Sequence, residues 1–320
     1  MLGLLLLTSG CLDLNFDPIS ILKGPRMLAI SANPPESLPG EDIHFETLIV
    51  DENGDDLSTQ PGIEVRFEVC LSIAQVFNAA GLGSSTTAED NCGVGGDDLL
   101  VLAQDGAPNR AILPGEVLVG LLSMIPMPDP DMPPPDPMIP GIDPALFSIL
   151  AEVIAEVGVP LLVRVEVDRD GERILDGHKR FAITTRSGAT LNPPPPRLMI
   201  DELEVTARGG ADPHVCVAAD GSTATATVGA EVTLAPDPLE EPWLETYPVF
   251  DLQNGLIENS ESAYYSWFSN AGSFSRELSQ SPLRDSVWTA PEEPGTYPFF
   301  VVVRDGHLGH SWCRFEIEVR

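Results

Sequence analysis

Positive charge is scarce in this chain of 320 residues, which has 17 lysine and arginine residues against 49 aspartate and glutamate residues and a net charge of −32. Only two of the cations are lysines, Lys23 and Lys179. Because so acidic a surface repels polyanions, the composition argues against nucleic acid and anionic lipid headgroups as partners. A hydrophobic content of 43% excludes wholesale disorder, and the length is sufficient for about two domains.

The chain also lacks the motifs of common enzyme and metal sites. No CxxC pair or histidine and cysteine cluster has zinc spacing. Gly83-Ser84-Ser85 and Gly272-Ser273 do not complete a GxSxG elbow, and no glycine-rich phosphate loop lies between a strand and a helix. We therefore predict no catalytic residue, no cofactor and no metal, and we expect a protein that is not an enzyme.

Long apolar runs are missing from the beginning of the chain. Leu4–Leu7 is far shorter than the roughly 20 apolar residues that cross a bilayer. In MLGLLLLTSGC, small residues precede Cys11, and this pattern resembles the bacterial lipoprotein signal. The resemblance implies a signal over residues 1–11, an acylated Cys11 and a lipid anchor in the envelope, with Leu12 favouring the outer membrane. Residues 12–25 have no regular period and are interpreted as a tether; a buried strand is the alternative for the leucine segment.

Four cysteines remain if Cys11 carries lipid, an even number in a compartment where disulfides persist. Three pairings are possible. We predict Cys70 with Cys92 and Cys216 with Cys313, because this pairing keeps each bond within one half of the chain. Loop entropy gives about 3 kcal/mol for the first bond and about 4 to 5 kcal/mol for the second, which closes the longer loop.

Alternating polar and apolar residues predict several strands in the first half. In the clearest of them Glu64, Arg66 and Glu68 alternate with apolar side chains, so we expect one core face and one solvated face. Two of the segments flank an Asp-Gly turn and predict a hairpin. The segments with strand period are residues 43–49, 63–69, 161–167 and 173–184.

Two segments interrupt this strand pattern. Residues 125–144 carry nine prolines and cannot join a ladder, so a stiff surface loop is favoured and a ligand for a proline-recognition domain is the alternative. Residues 144–157 have apolar side chains at helical spacing between Asp143 and Gly158. They predict one amphipathic helix that packs over an open sheet end, with a partner-binding face as the alternative.

A run of four prolines within residues 191–197 indicates a linker between two domains. We therefore expect a first domain over residues 26–190 and a second over residues 198–320. In the second domain, short strands are expected over residues 224–234. Tyr264–Phe268 is expected to be a central strand, with Trp267 in the core.

The end of the chain resembles an Ig-like domain of the PKD or bacterial Ig type. In residues 287–305 a Pro-Gly turn precedes a long strand with Tyr297 near its start, and residues 312–319 supply a closing strand. Trp267 is similar to the core tryptophan of such domains, although Cys216 precedes it by more than in antibody domains. The stretches PRMLAISANPPESLPGEDIHF and VDENGD are similar to Ig-like domains of lipoproteins from myxobacteria-like Gram-negative bacteria. The resemblance implies an all-β fold of two tandem Ig-like β-sandwiches.

One loop has carboxylates at alternate positions, as at the start of a calcium loop: Asp51, Asn53 and Asp55, followed by Asp56. It fails as an EF-hand, because Asp56 replaces the glycine of position six and a glycine replaces the glutamate of position twelve. A turn is therefore favoured, with a weak calcium site as the alternative.

A second loop carries His307 and His310 close to Asp305. Two histidines three residues apart supply half of a metal site on a helix. Beside glycines in a loop they are more typical of a polar turn, which we favour.

Three tryptophans bear on function. Trp243, Trp288 and Trp312 would stack on sugar rings if they shared an exposed face, although core burial is commoner. The sequence therefore predicts an envelope protein with a structural, adhesive or protein-binding role that uses loops at one end of a sandwich. A carbohydrate-binding module is the alternative, and the expected partners are envelope proteins or glycans.

Overall fold

The computed structural model describes seven segments of the chain: residues 18–70, 99–124, 154–186, 190–209, 213–239, 243–251 and 254–320. The predicted signal with Cys11, Cys92, the proline-rich segment 125–144 and most of the predicted helix 144–157 lie outside these residues. The described residues confirm the predicted all-β class, since their strands pack as two β-sandwiches.

Strands up to residue 183 build the first sandwich. One sheet has the order β1-β3-β7-β6 and the other the order β2-β9-β8-β4-β5. The four segments with strand period in the first half and the hairpin are confirmed. The bounds are β1 (Arg26–Asn33), β2 (Glu36–Ser37), β3 (Ile43–Val50), β4 (Ile63–Cys70), β5 (Leu99–Val101), β6 (Ala103–Gln104), β7 (Arg110–Leu113), β8 (Val159–Arg169) and β9 (Glu172–Ile183).

Strands from residue 198 onward build the second sandwich. Its sheets have the orders β12-β11-β10-β14-β20-β18 and β13-β22-β21-β17-β19, and β15 and β16 form a separate hairpin. The bounds are β10 (Leu198–Ile200), β11 (Leu203–Ala207), β12 (Cys216–Ala218), β13 (Ala224–Ala226), β14 (Glu231–Pro236), β15 (Thr246–Asp251), β16 (Gly255–Ser260), β17 (Tyr264–Ser269), β18 (Ser273–Phe274), β19 (Leu278–Gln280), β20 (Ser286–Thr289), β21 (Gly295–Arg304) and β22 (His310–Val319).

The two sandwiches share the same strand pairing around their last strand. A short early strand pairs in parallel with the long last strand, β2 with β9 in the first sandwich and β13 with β22 in the second. The long last strand also pairs with an antiparallel neighbour, β8 or β21. The residues 191–197 between the sandwiches contain no strand or helix.

The interior of each sandwich is apolar. The first is mainly aliphatic, with Phe45 packed edge-on against Phe181. The second contains more and larger aromatic side chains, among them Trp267, Trp288 and Phe299. Trp267 is only 1% exposed, which confirms the prediction, and its Nε1 donates a hydrogen bond to the Ser279 hydroxyl at 2.9 Å. A buried indole N–H is thereby satisfied.

A disulfide joins Cys216 of β12 to Cys313 of β22, with the two Cα atoms 5.7 Å apart. It connects strands of the two opposing sheets of the second sandwich. This bond confirms one predicted pair. Cys92 of the other predicted pair lies outside the described residues.

The predicted tether over residues 12–25 is wrong for the part that the structure describes. Ile21 and Leu22 are buried, the Leu22 N–H donates to the Ser269 carbonyl at 2.9 Å, and the Ser269 N–H donates to the Ser20 carbonyl at 3.0 Å. This segment therefore packs against the end of β17. A contact of two or three residues is too short to show strand period, so its sequence reads as irregular.

The predicted solvated face of β4 is also only partly correct. Glu64 is exposed, but Glu68 is buried and Arg66 is half-buried. Arg66 lies in an ion-pair network around the buried Glu166 of β8, with Arg66 Nη2 2.6 Å and Arg164 Nη2 2.7 Å from its oxygens. Charged side chains on neighbouring strands pair with each other here. The alternation of polar and apolar residues along one strand cannot predict pairs between two strands.

A helix absent from the sequence-based prediction, α1, spans Gly115–Met124. Pro114 precedes it and accepts a hydrogen bond from the Leu118 N–H at 3.3 Å. Of the predicted helix 144–157, residues 154–157 are described and helical, and Gly158 ends the turn with φ +91°. The helices in the described part of the chain are all too short or too polar to cross a bilayer.

Candidate functional site at the domain junction

The two sandwiches share an apolar cluster of their own. Leu28 of β1 and Val50 of β3 pack with Phe300 of β21 and Trp312 of β22. Trp312 is 3% exposed, so this contact excludes water. The cluster, which we call the junction core, consists of Leu22, Leu28, Ala29, Val50, Phe268, Phe300, Val302 and Trp312, with Leu48 packed against it.

Polar side chains cap the free edge of β1 beside the junction core. β1 is the outer strand of its sheet, and an open strand edge is a site of unwanted pairing. The linker and the second sandwich supply the donors that cover it. Arg304 Nη2, His310 Nδ1 and Asn192 Nδ2 donate to the carbonyl oxygens of Leu28, Ile30 and Ala32 at 3.0, 2.9 and 2.7 Å, respectively.

A charged contact crosses the junction between β3 and the segment before β12. Glu46 pairs with Arg110 of its own sheet at 2.8 Å and with His214 of the second sandwich at 3.3 Å. The His214 ring stacks on Trp312, with ring centroids 4.0 Å apart. Burial raises the pKa of Glu46, but His214 and Arg110 outweigh burial and bring the pKa below its ordinary value. The ionised carboxylate is therefore the form that holds this contact.

The loop between β21 and β22 brings Asp305, His307 and His310 together with Lys179 of β9 and Glu261. These five residues form what we call the junction polar cluster. Lys179 donates to the Leu308 carbonyl, and Glu261 Oε1 lies 3.7 Å from His307 Nδ1. Asp305 is fully buried; its Oδ1 accepts from the His307 N–H at 2.8 Å, and its Oδ2 has no hydrogen-bond partner among the residues that the structure describes.

Burial dominates the protonation of this cluster. It lowers the pKa of Lys179 from 10.5 to about 7, with the negative charge of Asp305 acting in the opposite direction. It raises the pKa of Asp305 to about 6, opposed by the hydrogen bond from His307. His310 has its pKa lowered to about 2 by burial and by the neighbouring Lys179 and Arg304 charges. Burial therefore favours the neutral form of each of these three side chains relative to water.

The loop considered as a calcium site is a turn that touches the second sandwich. Asp51 Oδ1 accepts from the Asn53 and Asp55 N–H groups at 2.8 and 3.0 Å, and Oδ2 accepts from Gln60 at 2.7 Å. The Asp51 carboxylate is thus occupied by protein donors. Among the described residues, no group of three or more His, Cys, Asp or Glu side chains is arranged to hold a metal ion.

Gly54 in this turn packs closely against the second sandwich. Its φ of +83° favours glycine, and a Cβ at this position would lie 2.5 Å from Cγ of Pro298 in β21. The neighbouring Asn53 carbonyl accepts a hydrogen bond from Asn270 of the second sandwich at 3.4 Å. A side chain at residue 54 would push the sandwiches apart.

An open groove of about 610 Å³ lies beside this contact. Its walls belong to both sandwiches, and its lining is mixed polar and apolar. The lining comprises Asn53–Asp55, Val205, Val215–Ala218, Gly221–Ala224, Thr296, Pro298 and Arg314–Glu316. Turns and strands of both sandwiches therefore form a concave surface, whereas the groups with the largest pKa shifts are buried in the junction polar cluster.

The tryptophans do not form the sugar-binding face that was considered as an alternative to core burial. Trp288 is fully buried in the core of the second sandwich, and Trp312 is buried in the junction core. Trp243 is half-buried. Stacking on a glycan requires exposed rings, so two of the three candidates are unsuitable.

The sequence interpretation placed His307 correctly in the loop before the last strand, but His310 is the first residue of that strand, and the partners of both histidines were missed. Lys179, Glu261 and Asn192 lie far from this loop in the chain, and no spacing connects them. One signal was present: Lys179 is one of only two lysines, and it lies two residues before Phe181, on the same side of its strand.

Comparisons with known proteins give a likeness of fold at low similarity. No protein-family model matches the chain, and no curated protein matches its sequence. The chain is similar to E. coli alpha-2-macroglobulin (9% identity, TM-score 0.22, covering 92% of this chain and 17% of that one). It is also similar to the Bacteroides ovatus mixed-linkage glucan utilization locus protein SGBP-B in complex with a heptasaccharide (8%, 0.20, 92% and 70%). The Ig1-2 module of the Drosophila receptor protein tyrosine phosphatase DLAR is a further match (9%, 0.24, 93% and 99%). TM-scores this low carry no argument about function.

Proposed function

We propose that this protein is a lipid-anchored bacterial envelope protein, held in the outer membrane through Cys11, whose two sandwiches act as one rigid unit with a structural, adhesive or protein-binding role. The observation that supports the rigid unit is the capping of the β1 edge by Arg304, His310 and Asn192 next to the junction core. A pair of domains with a fixed relative orientation presents its loops in a defined geometry, which suits a spacer or a binding surface.

The anchoring part of the proposal rests on the sequence pattern before Cys11 and is tested by Cys11→Ser. Wild-type protein is expected in the membrane fraction with an acyl mass on Cys11. The variant is expected in the soluble fraction, because a thioether-linked lipid cannot form on serine. If the variant stays with the membrane and the wild type carries no acyl chain, the anchor is wrong.

The binding part is tested at the groove between the sandwiches. Thr223 is exposed and lines the groove, whereas Thr225 is exposed two residues away and does not. We expect a partner crosslinked in native envelope extracts to be lost with Thr223→Trp and kept with Thr225→Trp. Equal capture by both variants would contradict the groove as the contact surface.

The same pair of variants tests the carbohydrate alternative. Glycan binding that Thr223→Trp abolishes and Thr225→Trp retains would replace the protein-binding role with the carbohydrate-binding one. The burial of Trp288 and Trp312 favours the protein-binding role.

A further inference from the structure

The junction polar cluster contains an ammonium and a carboxyl group from opposite sandwiches, both removed from water. Lys179 is 4% exposed and projects from β9 of the first sandwich to the Leu308 carbonyl of the second. Asp305 is 0% exposed, and its Oδ2 has no hydrogen-bond partner in the described residues. Closing the junction therefore transfers both groups from water into an interior that compensates their charges incompletely.

Other charged and titratable groups face this pair from every element that packs against it. Glu261 and Glu245 belong to the base of the β15–β16 hairpin, where Glu261 accepts from the Glu245 N–H at 2.9 Å. Tyr247 of the same hairpin stacks on His307, with ring centroids 3.6 Å apart. The charged and titratable groups that act directly on Lys179 or Asp305 are Arg180, Tyr247, Glu261, Arg304, His307 and His310, and Glu36, Arg186 and Glu245 lie behind them around Glu261.

We propose that the contact between the two sandwiches is controlled by protons, with Lys179 as the sensing group: the junction tightens when the Lys179 ammonium loses its proton and loosens when the amine is protonated. The physical reason is that the open junction solvates an ammonium, whereas the closed junction offers it one carbonyl and no adjacent carboxylate within ion-pair distance in the described residues. This inference goes beyond the proposed function and does not depend on what the protein binds.

The direction follows from comparing the two states. Lys179 has a pKa of about 7 when the junction is closed and 10.5 as its ordinary value, so the open state binds more protons between these values. The stability of the junction from this group is complete above pH 10.5 and is lost as the pH falls to about 7. Below that pH, Lys179 is protonated in both states and contributes no further change.

The other shifted groups act at lower pH and oppose each other. Asp305, with a pKa of about 6, favours the closed junction most below its ordinary pKa of 3.8 and loses this contribution as the pH rises through 6. His310, with a pKa of about 2, makes its contribution above its ordinary pKa of 6.5 and loses it as the pH falls. Their effects oppose each other from pH 4 to 6, and both groups have completed their change below pH 7.5, so of these three groups Lys179 alone responds from pH 7.5 to 9.5.

The first test is a lysine titration in the full chain. Lys23 and Lys179 are the only lysines, so ¹³Cε-lysine labelling gives two signals, and the signal lost in Lys179→Met identifies Lys179. We expect its midpoint near pH 7. A midpoint near 10 would overturn the proposal without any need for a folded variant.

The second test measures opening of the junction by hydrogen exchange in β1, whose edge the second sandwich covers. After correction for intrinsic exchange, wild-type protection of β1 relative to β8 should rise roughly 70-fold from pH 7.5 to 9.5, because one proton is released on closing. Lys179→Met should remove this rise, and Lys23→Met, at an exposed lysine, should retain it. A rise that persists in Lys179→Met, or one absent from the wild type, would overturn the proposal.

Discussion

The core of the second sandwich and the junction between the sandwiches are both buried, but they are built from different kinds of side chain. The core contains Trp267, Trp288 and Phe299 with few polar atoms, and each indole N–H finds a partner. The junction combines the apolar junction core with Lys179 and Asp305, whose charges are only partly compensated. The stability of the core is therefore expected to be insensitive to pH but strongly reduced when a side chain is truncated. The junction is expected to respond to pH as well as to changes in its side chains.

The largest expected effect is in the core of the second sandwich and comes from removing its disulfide. Cys216→Ala with Cys313→Ala should lower the free energy of unfolding by about 4 to 5 kcal/mol, since the bond closes a loop with a sequence separation of 97 residues. Urea denaturation of the variant and the wild type measures the difference. A loss below about 1 kcal/mol would show that the apolar packing alone determines stability.

Trp267→Ala should cost roughly 3 to 5 kcal/mol, because it leaves a large cavity among aromatic side chains. Trp243→Ala, which truncates a half-buried tryptophan of the same sandwich, is the control and should cost much less. Fluorescence-monitored urea unfolding at pH 7 and pH 9 gives both values. Equal losses for the two variants, or a difference that changes with pH, would remove the distinction between core and junction.

Gly54→Ala tests the junction by sterics alone. Gly54 and Gly171 both have φ +83°, but a Cβ on Gly171 meets no atom within 4 Å, whereas one on Gly54 meets Pro298 at 2.5 Å. The backbone strain of about 1 to 2 kcal/mol is common to both alanine variants. Gly54→Ala should cost about 1 to 3 kcal/mol more, as overpacking does. Calorimetry of the two variants measures this difference. Equal losses of stability would mean that the sandwiches separate freely at this turn.

Much of the fold was predictable because apolar and polar side chains alternate along a strand that buries one face. β3, β4, the β8–β9 hairpin and β17 were expected from that period. The last two strands were expected from the resemblance to Ig-like domains, and the Cys216–Cys313 pair from keeping each bond within one half of the chain. The helix α1 was missed because its apolar residues lie on most of its surface, so it shows no clear helical stripe.

The candidate site was less predictable, since it depends on how two finished sandwiches meet. The loop of His307 and His310 was recognised as polar, but its contacts come from β9, from the linker residue Asn192 and from the base of the β15–β16 hairpin. Such contacts have no local period. The expected tether failed for a related reason, because Ile21 and Leu22 pack on β17 over too few residues to form a pattern.

The account depends most directly on the two sandwiches forming one rigid unit, and an interdomain distance measurement tests this. Glu64 on β4 and Glu231 on β14 are exposed strand positions in different sandwiches, where spin labels attached through unnatural amino acids leave the native cysteines untouched. Pulsed electron paramagnetic resonance on the full chain at pH 9 should give one narrow distance distribution. A broad distribution, typical of two domains that reorient about residues 191–197, would contradict the account.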